Sequence, residues 1–180
     1  MSLLKNLKEY LKDERGSYLY AILDSAIESR VKEYIEQYDL PSWILYKDER
    51  DREALREKAP YLVRLNIDDE ATEILLEEGY GSNWGCFVVS DTQAEELATH
   101  LAQYTKIYSA VHEQQIYMRF YDPRAWERYI NILAIEEQEE FFSELNTLLI
   151  ENPKDFRELW SYRLEHKRVE KRVVSLEESG

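Results

Sequence analysis

The chain has 180 residues, of which 44 % are apolar and 13 % aromatic, a content that excludes an intrinsically disordered protein. Its formal net charge of −14 excludes general binding to nucleic acid or to anionic membranes, because their phosphate groups would be repelled. The only cysteine, Cys86, excludes an intrachain disulfide and a thiolate metal cluster, so a reducing compartment fits. We therefore expect a soluble, cytoplasmic protein whose partners are other proteins.

The first half of the chain predicts alternating helices and strands. Charged residues interrupt the apolar residues of the N-terminal segment at helical spacing, which predicts an amphipathic helix over 3–14 and not a secretory signal. Ser25 and Glu28 have the spacing of a capping box, which predicts that the next helix begins there. Strands are predicted at 18–23, 43–46 and 61–65, and a solvated loop or short helix at 47–58. No apolar run approaches the roughly 20 residues that a membrane-spanning helix needs.

The second half continues this pattern and ends in a predicted helical tail. Helices are predicted from Asp68, from Ser90 and from Pro123, with strands at 86–89, 106–111 and 115–121. A further helix is predicted from about Glu136, and Asn152-Pro153 is typical of the start of another. These elements predict an α/β fold with a mixed β-sheet flanked by helices and a small helical C-terminal appendage. We expect residues 1–149 to form the α/β lobe and residues 150–180 a short helical lobe or tail.

Three aspartates follow predicted strands, where α/β enzymes often place catalytic side chains. If Asp24, Asp91 and Asp122 shared one cleft, they could act as general acid–base groups or metal ligands, as in a carboxylate-dependent hydrolase. Each aspartate also stands at or beside a predicted helix start, where a carboxylate accepts unpaired backbone N–H groups. We favour this second role, and we predict that Asp24, Asp91 and Asp122 are structural caps.

The other reactive residue types form no recognisable catalytic pattern. His100, His112 and His166 lack the spacing of metal ligands, so no metal site is predicted. The glycines of residues 79–85 resemble a dinucleotide fingerprint, but the third glycine is one position late and the run precedes a strand. Cys86 lies in an apolar run that suits a buried side chain. We expect no catalytic residue and no cofactor.

Four blocks of the sequence carry a likeness to a known family. They are Leu23-Asp24-Ser25-Ala26, Ala59-Pro60-Tyr61-Leu62-Val63-Arg64-Leu65, Trp84-Gly85 with the apolar run after it, and Arg119-Phe120-Tyr121-Asp122-Pro123-Arg124. In this order they resemble the effector chaperones, or adaptor proteins, of bacterial type VI secretion, a family first catalogued as a domain of unknown function. The likeness covers about residues 17–145. Ser25 stands where many relatives have glycine, and the C-terminal part is short.

The resemblance implies a protein that is not an enzyme. Members of that family bind a toxic effector in the cytoplasm, commonly near its N-terminal region, and help to load it onto the VgrG spike protein. We therefore expect an effector and VgrG as partners, and neither nucleic acid nor membrane. A second possibility also involves a protein partner. The chain could be an acidic immunity protein, which neutralises a toxin.

Three residues near the last block are candidates for the surface that faces the effector. Arg119, Arg124 and Trp126 are of the types enriched in binding hot spots, and we place that surface between the α/β lobe and the C-terminal helices. The alternative for Arg119 is a structural ion pair with Asp122 or with an acid on the sheet.

Overall fold

A computed structural model describes residues 3–13, 16–109 and 113–176 of the chain. The helices are α1 (Leu3–Asp13), α2 (Arg30–Gln37), α3 (Glu49–Ala54), α4 (Glu70–Glu78), α5 (Ala94–Ala102), α6 (Trp126–Ile132) and α7 (Ile135–Phe141). The strands are β1 (Tyr18–Asp24), β2 (Ser42–Ile44), β3 (Pro60–Leu65), β4 (Gly85–Ser90), β5 (Lys106–Ser109), β6 (Gln114–Tyr117), β7 (Thr147–Glu151), β8 (Glu158–Glu165) and β9 (Arg168–Ser175). A turn of 3-10 helix at Arg56–Lys58 leads into β3.

Seven of these strands form one sheet in the order β2-β3-β1-β4-β7-β8-β9. Every pairing in it is antiparallel, whereas the sequence favoured a mixed sheet. The predicted α/β class with helices against the sheet is confirmed. Strand β1 lies inside the sheet, with β3 on one side and β4 on the other. A residue at the end of β1 is therefore flanked by two segments that are distant from it in the sequence.

Helices cover both faces of the sheet, so the protein has three layers. Odd-numbered β1 residues such as Ala21 face α2 and α4, with α1 packed against the same cluster. Even-numbered residues such as Ile22 face α5, α6 and α7. The alternation follows from the period of two along a strand. Because both faces are covered, the central strands are buried almost without interruption.

The pair β5–β6 is a separate antiparallel hairpin between α5 and α6. Lys106 joins it to α3, since its Nζ lies 2.6 Å from a carboxylate oxygen of Asp51. The ring of Tyr117 lies 5.6 Å from that of Tyr46. The last two residues of the strand predicted at 106–111 lie outside the described residues. His112 and Glu14 also lie outside them.

The prediction of a helical C-terminal tail is wrong. Residues 158–175 form two strands, and β8 pairs with β7 while β9 pairs with β8, so this hairpin extends the central sheet. Pro153 lies in the turn between β7 and β8 and starts no helix. The boundary predicted between residues 149 and 150 falls inside β7. The physical reason is that β8 is buried on both faces, which hides the alternation that marks a strand.

The predicted capping box at Ser25 is also wrong. Helix α2 begins at Arg30, and residues 25–27 form a turn. The hydroxyl of Ser25 donates instead to the carbonyl oxygen of Ala59, 2.7 Å away, and so joins the end of β1 to the start of β3. A hydroxyl used in this tertiary contact cannot cap a helix five residues later.

None of the helices in the described ranges combines the length and the apolar character needed to cross a bilayer.

Gly85 permits a close approach between β4 and β1. A Cβ atom placed there would lie 1.7 Å from the carbonyl oxygen of Ile22 and 3.2 Å from the Cα of Leu23 on β1. We expect Gly85→Ala to lower the free energy of unfolding by about 1–3 kcal/mol, because the two strands must separate to admit the methyl group. Urea denaturation measures the change.

Ser82→Ala in the exposed turn before β4 is the control, and it should change the free energy of unfolding by less than about 0.5 kcal/mol. A Gly85→Ala protein as stable as the unsubstituted chain would show that this approach does not constrain the sheet.

Candidate functional site

The four sequence blocks meet at the end of β1. The backbone N–H of Asp24 donates to the carbonyl oxygen of Trp84, 2.8 Å away. Ser25 donates to Ala59 as described above. The guanidinium of Arg119 reaches the Asp24 carboxylate from the loop before α6, with its Nε 2.9 Å from Oδ2. Each block therefore contributes one internal contact to a single cluster.

The ion pair between Asp24 and Arg119 is the centre of this cluster. The Asp24 side chain is 1 % exposed, and its Oδ2 accepts hydrogen bonds from both Nε and Nη2 of Arg119. Its other oxygen, Oδ1, accepts the backbone N–H of Ala26 at 2.9 Å. Burial raises the pKa of Asp24, while the neighbouring Arg119 charge opposes that rise. The alternative role given for Arg119, an ion pair with an acid on the sheet, is the one that the structure shows.

A second ion pair adjoins the first. The Arg124 guanidinium lies across the Asp122 carboxylate, with Nε 2.9 Å from Oδ1 and Nη2 2.8 Å from Oδ2. Arg119 Nη2 is 3.5 Å from the same Oδ2, so the two pairs form one network. Burial works against ionisation of Asp122, but the hydrogen bonds from Arg124 prevail and its pKa is lowered.

The two carboxylates shape turns and do not cap helices. Asp24 accepts the N–H of Ala26, and Asp122 Oδ1 accepts the N–H of Arg124, 2.9 Å away. Helix α6 begins only at Trp126, and its first turn has no side-chain cap. The predicted caps at Asp24 and Asp122 are thus displaced into the turns that precede α2 and α6. The reason is that the chain makes a tight turn after Asp24 and another after Asp122, before helices α2 and α6 begin.

Asp91 lies elsewhere. It follows β4 beside the start of β1, so the length of that strand, about 20 Å for seven residues, separates it from Asp24. Its Oδ1 accepts hydrogen bonds from the Ser17 hydroxyl at 2.6 Å and from the Asn146 side-chain amide at 3.1 Å. Helix α5 begins three residues later, after Gln93. The predicted cap is wrong here, because the carboxylate is used to join three loops.

Trp126 cannot belong to an exposed partner surface, which corrects that prediction. It is 0 % exposed, and its ring centroid lies 5.3 Å from that of Tyr162 and 5.6 Å from that of Phe141. Arg119 and Arg124, by contrast, keep 37 % and 51 % of their side chains exposed. The outer N–H groups of these two arginines are therefore the part of the predicted site that a partner could reach.

Glu151 is a buried acid that the sequence did not single out. It is 5 % exposed at the end of β7, and its carboxylate accepts the backbone N–H groups of Gly81 and Asn83. Burial raises its pKa, and these two N–H groups oppose the rise. The glycine-rich turn at 79–85 thus has the N–H groups of an anion site, and the chain fills that site with its own carboxylate.

The remaining reactive residues stay apart. In the part of the chain that the structure describes, no group of three or more His, Cys, Asp or Glu side chains is arranged to hold a metal ion. Cys86 is buried on the central strand β4, and burial raises the pKa of its thiol. His100 contacts the carbonyl oxygen of Phe141 at 2.9 Å and so serves the packing of α5 against α7.

Comparison with known proteins places the chain in a family. No curated protein and no solved structure matches it. The model of the family described as a domain of unknown function, DUF4123, matches residues 19–140. This range contains Asp24, Asp122 and both of their arginine partners. Because the match extends over more than half of the 180 residues, the chain belongs to the DUF4123 family.

Proposed function

We propose that this protein is a non-catalytic adaptor of bacterial type VI secretion that binds a toxic effector in the cytoplasm and helps to load it onto the VgrG spike. The observation that carries the proposal is the convergence of the four family-like blocks on one internal cluster around Asp24. These residues position one another, as expected for a scaffold whose task is to present a surface.

The state of the carboxylates supports a scaffold over a hydrolase. A general base needs an accessible lone pair within hydrogen-bond reach of its substrate. The Asp24 carboxylate is almost inaccessible and already accepts hydrogen bonds at both oxygens. Asp122 is bound on both oxygens by Arg124, and Asp91 lies at the other end of β1. This arrangement argues against a reaction that uses the three aspartates together.

Charge and exposure support a protein partner. The net charge of −14 suits an adaptor that keeps a basic or aggregation-prone segment of its effector soluble before export. The exposed N–H groups of Arg119 and Arg124 provide donors at the edge of the cluster, where planar guanidinium groups favour a carboxylate of the partner. In this proposal the effector contacts that edge, near its own N-terminal region.

Affinity purification of the tagged protein from the native bacterial cytosol, followed by mass spectrometry, tests the proposal. We expect one toxin-domain protein and VgrG to be enriched together. Deleting the adaptor should abolish export of that toxin while other effectors are still exported, because only its own cargo depends on it. Complementation with the intact chain is the control.

Two outcomes would contradict an adaptor. If deletion leaves export intact but makes the cells sensitive to the toxin, the protein is an immunity protein. If the purified protein hydrolyses a substrate and Asp24→Asn or Asp122→Asn removes that activity, it is an enzyme.

A further inference from the structure

One edge of the central sheet has unused backbone hydrogen-bonding groups. Strand β2 pairs only with β3, and the N–H of Leu45 donates to Pro60 while the N–H of Arg64 donates to Pro41. In an antiparallel pair the residues alternate between facing the partner strand and facing away. Ser42 and Ile44 must therefore direct their N–H and C=O groups away from β3. Within the described residues no hydrogen bond engages these groups.

A groove of about 490 Å³ lies beside this edge. One wall is α5, which contributes Glu95, Ala98 and Thr99, and the other carries Arg52 and Arg56. A strand added to β2 would enter this groove and bond to Ser42 and Ile44, which is the geometry of β-augmentation. The opposite edge, β9, is different, because charged side chains of both signs protect it, including Arg168, Glu170 and Arg172.

The groove is lined by two guanidinium groups and by one carboxylate, that of Glu95, so its side chains are net positive in a protein that is net negative. Arg52 uses its Nε to donate to the carbonyl oxygen of Tyr46, 2.6 Å away, which leaves its outer N–H groups for a ligand. The hydroxyl of Tyr61 holds the backbone carbonyl of Arg56 at 2.7 Å. Neither guanidinium forms a salt bridge within the described residues, although the chain has a net charge of −14.

We propose that the β2 edge binds an extended peptide strand of a partner protein, with an acidic side chain of that strand paired to Arg52 and Arg56. Main-chain hydrogen bonds to Ser42 and Ile44 align the peptide, and the arginines select the acidic residue. A second copy of this chain is a poorer occupant, because pairing would bring together two molecules that each have a formal charge of −14. The proposal does not depend on the partner's being a secretion effector.

Fluorescence polarisation with the full chain and defined peptides tests the inference. The probes are seven-residue peptides of alternating Thr and Val with a central Asp, and the same peptides with a central Lys. We expect the Asp peptides to bind at least tenfold more tightly than the Lys peptides. N-methylation of alternate peptide nitrogens should abolish binding for one set of positions and spare the other, since only one edge of the peptide faces β2.

Variants of the groove sharpen the test. Arg56→Glu should reverse the preference from Asp to Lys peptides, whereas Arg128→Glu, an exposed change outside the groove, should leave it unaltered. Ser42→Pro should weaken binding about tenfold, because it removes an outward N–H while an edge strand tolerates proline. Circular dichroism verifies that each variant is folded.

Several results would overturn the proposal. They are the absence of binding at millimolar peptide, equal affinity for Asp and Lys peptides, and indifference to both Arg56→Glu and N-methylation. Self-association in the ultracentrifuge that Ser42→Pro abolishes would instead assign the edge to a second copy.

Discussion

Trp126→Ala should lower the free energy of unfolding by about 3–5 kcal/mol, as expected when a large buried aromatic side chain is removed from a packed core. Trp126 has no exposed surface, and its ring contacts those of Tyr129, Phe141, Phe142 and Tyr162. These contacts join α6, α7 and β8, so the cavity would open where three elements meet. Urea denaturation followed by tryptophan fluorescence and circular dichroism measures the loss.

Tyr108→Ala is the matched control, because this aromatic residue is 65 % exposed on the β5–β6 hairpin and should change the free energy of unfolding by less than about 0.5 kcal/mol. Equal effects of the two substitutions would contradict the burial of Trp126. A loss of effector binding in Trp126→Ala would have to be judged against this loss of stability.

Arg119→Met should lower the free energy of unfolding at neutral pH by about 2–4 kcal/mol. The substitution leaves the Asp24 carboxylate buried without its cation, and breaking a buried ion pair in this way typically costs about 3–5 kcal/mol. We take a lower range because the Arg119 side chain is 37 % exposed, so water already screens part of the interaction. Urea denaturation at several pH values measures the change relative to the unsubstituted chain.

The pH dependence has a definite sign. Burial already raises the pKa of Asp24 above its ordinary value of 3.8, and Arg119 opposes that rise. Without Arg119 the pKa in the folded state rises further, so between the unfolded and folded pKa values the folded state binds more protons. Stability then falls as the pH rises through this window. The deficit of Arg119→Met should therefore be smallest near pH 4 and largest at neutral pH.

The double variant Asp24→Asn with Arg119→Met separates charge from packing. It removes the uncompensated carboxylate while the Asn side-chain oxygen can still accept the N–H of Ala26, so it should recover much of the stability at neutral pH. If the single variant shows the same deficit at every pH, the ion pair does not act as described. Failure of the double variant to recover would assign the loss to the aliphatic part of Arg119.

The first part of the fold was predictable because local signals agree with the tertiary structure. The strands β1, β3 and β4 and the helices α4 and α5 have their expected type, and their limits differ by a few residues. The pairing of Arg119 with an acid on the sheet was also anticipated, though the sequence could not distinguish Asp24 from Asp122. Only the convergence of β1, β3 and β4 determines that the buried partner is Asp24.

The C-terminal hairpin was not predictable from the same signals. In β8, Leu159 packs on one face of the sheet and Trp160 on the other, so the apolar residues imitate helical spacing. The turn that joins β8 to β9 has positive φ at His166 (51°) and Lys167 (64°), as a type I′ turn requires. Asn and Gly are the usual residues of that turn, so the dipeptide His166-Lys167 gave no signal of it. The valines of β9 were the one available signal of a strand.

The site was partly predictable for a related reason. The spacing of Trp126, Tyr129 and Ile130 puts them on one face of α6, and the structure buries that face, yet residue type made Trp126 a candidate for the surface. Glu151 gave no sequence signal, because an acid at the end of a strand is ordinarily solvated. Its role depends on N–H groups from a loop some 70 residues earlier in the chain.

That carboxylate has a consequence for how the protein should be subdivided. The loop it holds lies within residues 19–140, but Glu151, its strand β7 and the following strands β8 and β9 do not. An expression boundary set by family likeness would remove the anion that the loop needs and the neighbour that β4 needs. The autonomous folding unit is thus wider than the region that identifies the family, and fragments for biophysical work should extend through the last strand.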